Sequence, residues 1–205
     1  MRIIAGMAKG MKLSAPPGHG TRPVLDRVKE SWFSSLGDRV EGARVLDLYC
    51  GVGSLGIEAL SRGADSCVFV EFDPDCVKML EAHLAKTRLA ERAEVRRADA
   101  DVALDDLSRS VERFDLIFLD PPFKHARAEA FIGPGATLER ATRLLAPDGI
   151  AMLRREARRR GREEDAGPDA PPPGTTLQAR RRWGRNEVIF YKRSAEDRGG
   201  LADEG

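Results

Sequence analysis

Ten residues constrain the fold of this chain more than any others: Asp47-Leu-Tyr-Cys-Gly51-Val-Gly53-Ser-Leu-Gly56. An apolar run, Ala43–Leu48, leads into glycines with GxGxxG spacing, and a segment suited to a helix follows from Ser54 to about Ser61. Ser54 is placed to cap that helix and Gly63 to stop it. Glu71 lies 20 residues beyond Gly51, at the end of the next apolar run, Ser66–Val70. Strand, glycine turn, helix and a delayed acid are the parts of a nucleotide-binding βαβ unit. The glycines let a ligand approach the backbone, and the acid accepts hydrogen bonds from ribose hydroxyls. NAD, FAD and S-adenosylmethionine all satisfy these residues.

The rest of the middle repeats the βα pattern. Asp73-Pro74 sets a capping carboxylate before a proline in the first helical turn, and Val77, Leu80 and Leu84 follow at helical spacing. Strands are predicted at Ala93–Arg97, Phe114–Leu119 and Ile150–Leu153, with a helix through Leu138–Leu145 that ends at Pro147-Asp148-Gly149. Phe114–Leu119 is apolar almost throughout, as a strand covered on both faces must be. The expected fold is α/β: a Rossmann-like, mostly parallel, doubly wound sheet. Thr176–Trp183 and Glu187–Lys192, flanking Gly184-Arg185, close it with an antiparallel hairpin. Residues 2–14 read as an N-terminal β-hairpin arm, and Asp26 can cap a helix with Val28, Trp32, Phe33 and Leu36 on its packing face. The expected organisation is an N-terminal arm and helix over 1–36, a Rossmann-like domain over 37–193 with a mobile loop at 161–174, and a disordered tail at 194–205.

Two carboxylates narrow the chemistry. Asp47, at the carboxyl edge of the first strand, would repel a pyrophosphate, yet it suits the ammonium group of a methionine moiety. This favours S-adenosylmethionine. Asp99, just past the third strand, is placed to accept from an adenine amino group or to cap a helix. Asp120-Pro121-Pro122-Phe123 follows the fourth strand directly. The prolines stiffen the loop, Asp120 and the Pro121 carbonyl can accept the two N–H bonds of an exocyclic amine, and Phe123 can stack on its base. The alternative for this loop is a Pro-rich turn with Phe123 in the core.

Charge adds a partner class. Lys and Arg number 34 against 33 Asp and Glu, but residues 1–30 are net +4, 31–153 net −6, 154–193 net +6 and the last twelve net −3. Basic ends around an acidic middle suit arms that hold a polyanion, or else an Arg-rich solvated surface. No apolar run approaches the roughly 20 residues of a membrane span, and the N-terminus has no secretory stretch, so a cytoplasmic protein with reduced cysteines is expected. Cys50, Cys67 and Cys76 form no CxxC pair, so no metal is expected, and Cys50 reads as a small buried side chain in the glycine turn. His19, His83 and His125 make no ligand or triad spacing and read as surface residues, with His125 also a candidate substrate contact. Trp32 and Phe33 read as helix packing.

Taken together, Arg2-Ile-Ile-Ala-Gly6, Lys9-Gly10-Met-Lys12-Leu13, Thr21-Arg22-Pro23, Asp26-Arg27-Val28-Lys29-Glu30, Asp47–Gly56, Glu71 and Asp120–Phe123 resemble the bacterial small-subunit ribosomal RNA guanine-N2 methyltransferases. The likeness runs from residue 1 to about 155 and again over Trp183–Tyr191. It departs at Val24-Leu25, where the family usually has Thr-Thr, and at 161–174. The resemblance implies methyl transfer from S-adenosylmethionine to the 2-amino group of one guanine of 16S rRNA; the expected partner is that RNA within an assembling or assembled small subunit, and a monomer is the default. It assigns Asp47, Gly51, Gly53, Glu71 and Asp99 to the cofactor, with the adjoining Tyr49, Gly56, Phe72, Ala100 and Asp120 as further candidates. Asp120, Pro121, Pro122 and Phe123 would hold the base. Arg2, Lys9, Lys12, Arg22 and Arg27, with Arg180 and Arg182 of the hairpin, would meet RNA. The alternatives are an adenine-N6 methyltransferase, an NAD-dependent oxidoreductase and a noncatalytic RNA-binding assembly factor.

Overall fold

The computed structural model describes residues 1–16, 26–122, 131, 136–157 and 170–194. In chain order the elements are α1 (Asp26–Leu36), β1 (Arg44–Leu48), α2 (Ser54–Ser61), β2 (Ser66–Glu71), α3 (Pro74–Thr87), β3 (Ala93–Arg97), α4 (Ala100–Ser108), β4 (Phe114–Leu119), α5 (Thr137–Thr142), β5 (Leu145–Glu156), β6 (Thr175–Trp183) and β7 (Asn186–Arg193). The sheet has seven strands in the order β3-β2-β1-β4-β5-β7-β6. Strands β1 to β5 run parallel to one another, and β7 and β6 close the sheet in antiparallel fashion. The Rossmann-like fold is therefore present. The chain winds outwards from β1 through β2 to β3 and then returns to lay β4 on the other side of β1, so the topological switch point falls between β1 and β4.

Alternation along β1 and β4 divides the core in two. Val45, Leu116 and Phe118 face a layer built from α1, α2, α3 and the N-terminal arm; Leu46, Leu48, Ile117 and Leu119 face α4, α5 and Phe131. On the first side, α1 lays Trp32 and Phe33 against the Phe118 ring, with centroids 6.4 and 5.9 Å away. The packing role read for those two aromatics holds. Among the described residues no helix is long and apolar enough to cross a membrane.

The arm is hairpin-like, with a single bridge between Arg2 and Lys12, and it lies along α2. Ile3, Ala8 and Leu13 join the same core as the sheet. Every residue of α2 is buried, including Glu58 in its middle. That carboxylate accepts from the backbone N–H groups of Ile4 (2.8 Å) and Ala5 (3.0 Å), and it pairs with Lys29 Nζ of α1 (3.1 Å) and with Arg62 Nε (2.8 Å). Lys29 also donates to the Arg2 carbonyl at 2.6 Å. Burial pushes the Lys29 ammonium below its usual range, and the Glu58 carboxylate opposes that shift. At the carboxyl end of α2, Ser61 Oγ donates to the Ala5 carbonyl and accepts from Ala8 N–H, while the Ser61 carbonyl accepts from Met7 N–H. Gly6 passes so close that a Cβ there would sit 1.7 Å from the Ser61 carbonyl oxygen.

Two local expectations are corrected. The helix read through Leu138–Leu145 ends at Thr142, and Leu145 already belongs to β5, opposite Phe114. Its apolar side chain is buried by pairing in the sheet, and the register then jumps over Ala146–Gly149, with Asp148 in the left-handed region, before the regular ladder resumes at Ile150. Ser54 does not cap α2 with its hydroxyl; Gly53 occupies the cap position in a left-handed conformation. By contrast, Asp73 caps α3 as read, accepting from Asp75 and Cys76 N–H. Tail residues 195–205 and loop residues 161–169 lie outside the described residues, as do Val24 and Leu25.

The Glu58 cluster can be tested directly. Glu58→Ala strands a buried ammonium and two backbone donors, so it is expected to cost about 3–5 kcal/mol in urea denaturation. Gly6→Ala is expected to cost about 1–3 kcal/mol and to accelerate hydrogen exchange at Ile4–Ala8 as the arm lifts from α2. A loss below about 1 kcal/mol for Glu58→Ala would show that the cluster does not hold the arm.

Candidate functional site

Parallel pairing brings the sequence motifs to one edge. Leu48 stands opposite Val70 on one side and Leu119 on the other, and Glu71 stands opposite Arg97. The segments that follow, Tyr49–Gly53, Phe72-Asp73, Ala98-Asp99 and Asp120–Pro122, therefore leave the sheet side by side at its carboxyl edge. Binding residues collect at this edge, on either side of the switch point, in open α/β sheets.

The glycine turn is shaped by several separate constraints. Tyr49 has φ +59°, an uncommon conformation for a non-glycine residue, and its ring packs 6.1 Å from that of Phe131. Gly51 has φ +56°, and a Cβ there would meet open space. A Cβ on Gly53 would lie 2.3 Å from Leu80 Cδ1, and one on Gly56 2.3 Å from the Phe69 ring. Gly53 and Gly56 thus permit close packing of α2 on α3 and β2, and Gly51 alone of the three borders open space.

Asp47 is almost wholly buried, and its Oδ2 accepts from Gly56 N–H at 2.8 Å. It supplies from β1 the cap that Ser54 does not, by receiving an N–H of the first turn of α2. Its Oδ1 is buried and has no hydrogen-bond partner among the described residues. Burial pushes its carboxyl up to about 8, against the Gly56 hydrogen bond and with the help of the Asp120 and Glu71 carboxylates. Glu71 Oε2 accepts from Gly51 N–H (2.8 Å) and its Oε1 from Asp73 N–H (2.9 Å), so the acid at the end of β2 shapes the glycine turn. Each oxygen retains capacity for a further donor. Phe72 beside it is 71% exposed, an unusual position for a phenyl ring. Asp99 caps α4, accepting from Asp101 N–H at 2.8 Å, and Ala100 is buried behind it.

Asp120 leaves β4 with its carboxylate against Arg154 of β5, an arginine that the sequence reading left in an undivided basic segment. Burial raises the Asp120 carboxyl from its ordinary value, and the Arg154 charge and hydrogen bond oppose that rise. Pro121 is buried and Pro122 exposed; Phe123 and His125 lie outside the described residues.

His83 is corrected from a surface residue to a buried one. Ser14 N–H donates to its Nε2 (3.2 Å), which leaves Nδ1–H to donate to the Val52 carbonyl (3.1 Å). It thus ties the arm to the glycine turn, and burial lowers its pKa. A lone histidine on an apolar helix face gives no sequence signal of such a bridge.

The basic residues separate into distinct settings. Lys9 and Lys12 are exposed on the arm, and Arg2 pairs with Asp26 at 3.1 Å. Arg27 stands in the first turn of α1, and Arg22 and His19 lie outside the described residues. Arg182 is exposed and Arg180 half-buried on the edge strand β6. Lys29, counted in the basic N-terminal charge, faces no solvent at all. The three cysteines are buried free thiols, and burial raises Cys50 well above its usual range. Among the described residues no three His, Cys, Asp or Glu side chains come together as a metal site requires.

A family model described as conserved hypothetical protein 95 matches residues 1–192. The chain belongs to this family. It is 41% identical over 152 residues to YlbH of Bacillus subtilis, a match covering 74% of this chain and 80% of that one. It is 40% identical over 135 residues to the Haemophilus influenzae protein named ribosomal RNA small subunit methyltransferase D, covering 64% of this chain and 68% of that one. Among solved structures, yhhF of Escherichia coli superposes with a TM-score of 0.77 at 29% identity, covering 95% of this chain and 98% of that one. The resemblance read from the N-terminal, glycine and Asp-Pro-Pro-Phe motifs is borne out.

Asp47 provides a test that needs no ligand. Its folded-state pKa lies above the ordinary carboxyl value of 3.8, so the folded state holds the proton more tightly and stability from this group is lost as pH rises from about 4 to about 8. Asp47→Asn keeps an acceptor for Gly56 N–H without the charge. The variant is therefore expected to match the wild type in urea midpoint near pH 4 and to exceed it increasingly towards pH 8. A difference that stays flat across this range would show that Asp47 does not titrate there.

Proposed function

We propose that this protein is an S-adenosylmethionine-dependent methyltransferase that acts on the exocyclic N2 amine of a guanine in small-subunit ribosomal RNA. The observation that carries the reading is the unpartnered, buried Asp47 Oδ1 at the switch-point edge, next to the Asp120-Pro121 loop. A buried acceptor without a donor is costly, and an ammonium-bearing ligand, directly or through water, would satisfy it. The residues fit S-adenosylmethionine in other respects. Gly51 leaves its backbone open, Glu71 has acceptor capacity for ribose hydroxyls, exposed Phe72 would offer a ring face to adenine, and Asp99 and Ala100, at the N-terminus of α4, would hold its amino group. In its ionised form the same Asp47 is a poor neighbour for a dinucleotide pyrophosphate. The name borne by the Haemophilus relative supports rRNA of the small subunit as the substrate class.

When bound, the cofactor supplies an electrophilic methyl group on a sulfonium, already a good leaving group. The work of the chain is then positioning and electrostatics. The guanine amine has its lone pair delocalised into the ring. Asp120 and the Pro121 carbonyl accept its two N–H bonds and turn the lone pair towards the methyl group, and Phe123 stacks on the base. Pro121 and Pro122 stiffen the loop so that these acceptors keep their angles. Arg2, Lys9, Lys12, Arg22, Arg27, Arg180 and Arg182 serve as phosphate contacts, with binding that weakens as salt rises.

Small subunits from cells lacking this gene, incubated with the protein and tritiated S-adenosylmethionine, are expected to carry label in N2-methylguanosine. Label in N6-methyladenosine would replace guanine by adenine, and failure to bind S-adenosylmethionine would remove the methyltransferase reading. Asp120→Ala is expected to lower kcat by about a hundredfold or more while cofactor affinity in calorimetry stays within about twofold. Glu71→Ala is expected to weaken cofactor binding by about tenfold or more. The reverse pair of phenotypes would break the assignment of the two acids.

A further inference from the structure

Among the described residues, the Asp120 carboxylate is held from the neighbouring strand. The parallel ladder pairs Leu119 with Leu153, so Asp120 and Arg154 stand one residue further on, side by side at the carboxyl edge of β4 and β5. Arg154 Nε donates to Asp120 Oδ1, and both side chains are nearly withdrawn from water, at 11% and 13% exposure. The same guanidinium directs Nη1 to Asn186 Oδ1 at 3.4 Å. Asn186 is the first residue of β7, and its amide donates to the Trp183 carbonyl across the β6–β7 turn. The next side chain, Arg155, projects to the opposite face and pairs with Glu187 at 2.7 Å, so Arg154 is the arginine of this pair that reaches the site.

Resting on the functional reading above, we propose that Arg154 is a positioning residue for the Asp-Pro-Pro loop: its guanidinium fixes the Asp120 carboxylate, and through Asn186 it anchors that carboxylate to the β6–β7 hairpin. The acceptor role of Asp120 requires a charged, correctly turned carboxylate, because a protonated one would offer a donor on one oxygen and lose its pull on the amine. Among the described residues, the titratable groups that face it are Arg154 from β5 and the second buried carboxyl, Asp47, from β1. Burial favours protonation of Asp120, and the Arg154 charge and hydrogen bond oppose it. The planar fork of arginine spans the carboxylate and the Asn186 amide together; a lysine ammonium supplies the charge but not the fork.

The test uses the full chain as wild type, Arg154→Gln and Arg154→Lys. Methyl transfer to small subunits is measured from pH 5 to 9, cofactor affinity by calorimetry, and the Asp120 carboxyl titration by carbon-13 NMR. Arg154→Gln is expected to lower kcat at pH 7 by about tenfold or more, to move the acid limb of the profile up by about one pH unit, and to raise the NMR midpoint of Asp120 by a similar amount. Cofactor affinity is expected to stay within about twofold. Arg154→Lys is expected to restore the midpoint and the acid limb but only part of kcat, as the retained charge without the fork requires. Unchanged midpoint and profile in Arg154→Gln would overturn the proposal, and so would a loss of kcat equal at every pH that merely follows lost stability. Absence of transfer by the wild type would overturn the functional reading. The NMR midpoints would then still report whether Arg154 governs the carboxyl.

Discussion

A helix buried on every side can carry a carboxylate only if that carboxylate is fully paired, and α2 does so with Glu58. Two backbone donors from the arm, an ammonium from α1 and a guanidinium one turn away converge on it. The order of much of the molecule follows from this. The arm cannot leave without stranding Glu58, α1 cannot shift without moving Lys29, and α2, so confined, presents its first turn to Asp47 at a fixed height above the sheet. The cluster is also demanding, since removing either ion leaves the other buried and uncompensated.

The same helix joins architecture to site. Its N-terminus is capped by Asp47 from β1, and its carboxyl end takes Met7, Ala8 and, through its own hydroxyl, the Ala5 carbonyl. His83 adds a second tie, from Ser14 of the arm to Val52 of the glycine turn. The segment proposed to meet RNA and the turn proposed to meet the cofactor are thus connected through two short, buried hydrogen-bonded routes. On the far side of the switch point, Arg154 and Asn186 connect the Asp120 loop to the closing hairpin in the same manner.

The legibility of these features in the sequence varied with the range of the interaction behind them. The parallel strands were readable because burial on both faces leaves a continuous apolar run, and Asp73 was readable because its cap is local. Ser54 misled because the cap at α2 comes from Asp47 of β1, seven positions earlier and outside the local pattern of a helix start. The helix over 138–145 misled because Leu138, Ala141 and Leu145 keep helical spacing, while Leu145 in fact pairs with Phe114 across the sheet. Lys29 was counted as surface charge because composition does not register a partner 29 residues away.

What the sequence determined by itself was the winding of the fold and the edge at which chemistry could occur. Glycine spacing, strand periodicity and the acids at strand ends are local signals, and the parallel topology carries such residues to one edge by geometry alone. What only the tertiary structure decided was the electrostatic state of that edge. Whether Asp47 is satisfied, which cation faces Asp120 and whether a lysine or histidine meets water depend on burial and on neighbours far along the chain. Desolvation acts on the packed assembly rather than on a residue type, and so these properties were settled only when the strands and helices closed around them.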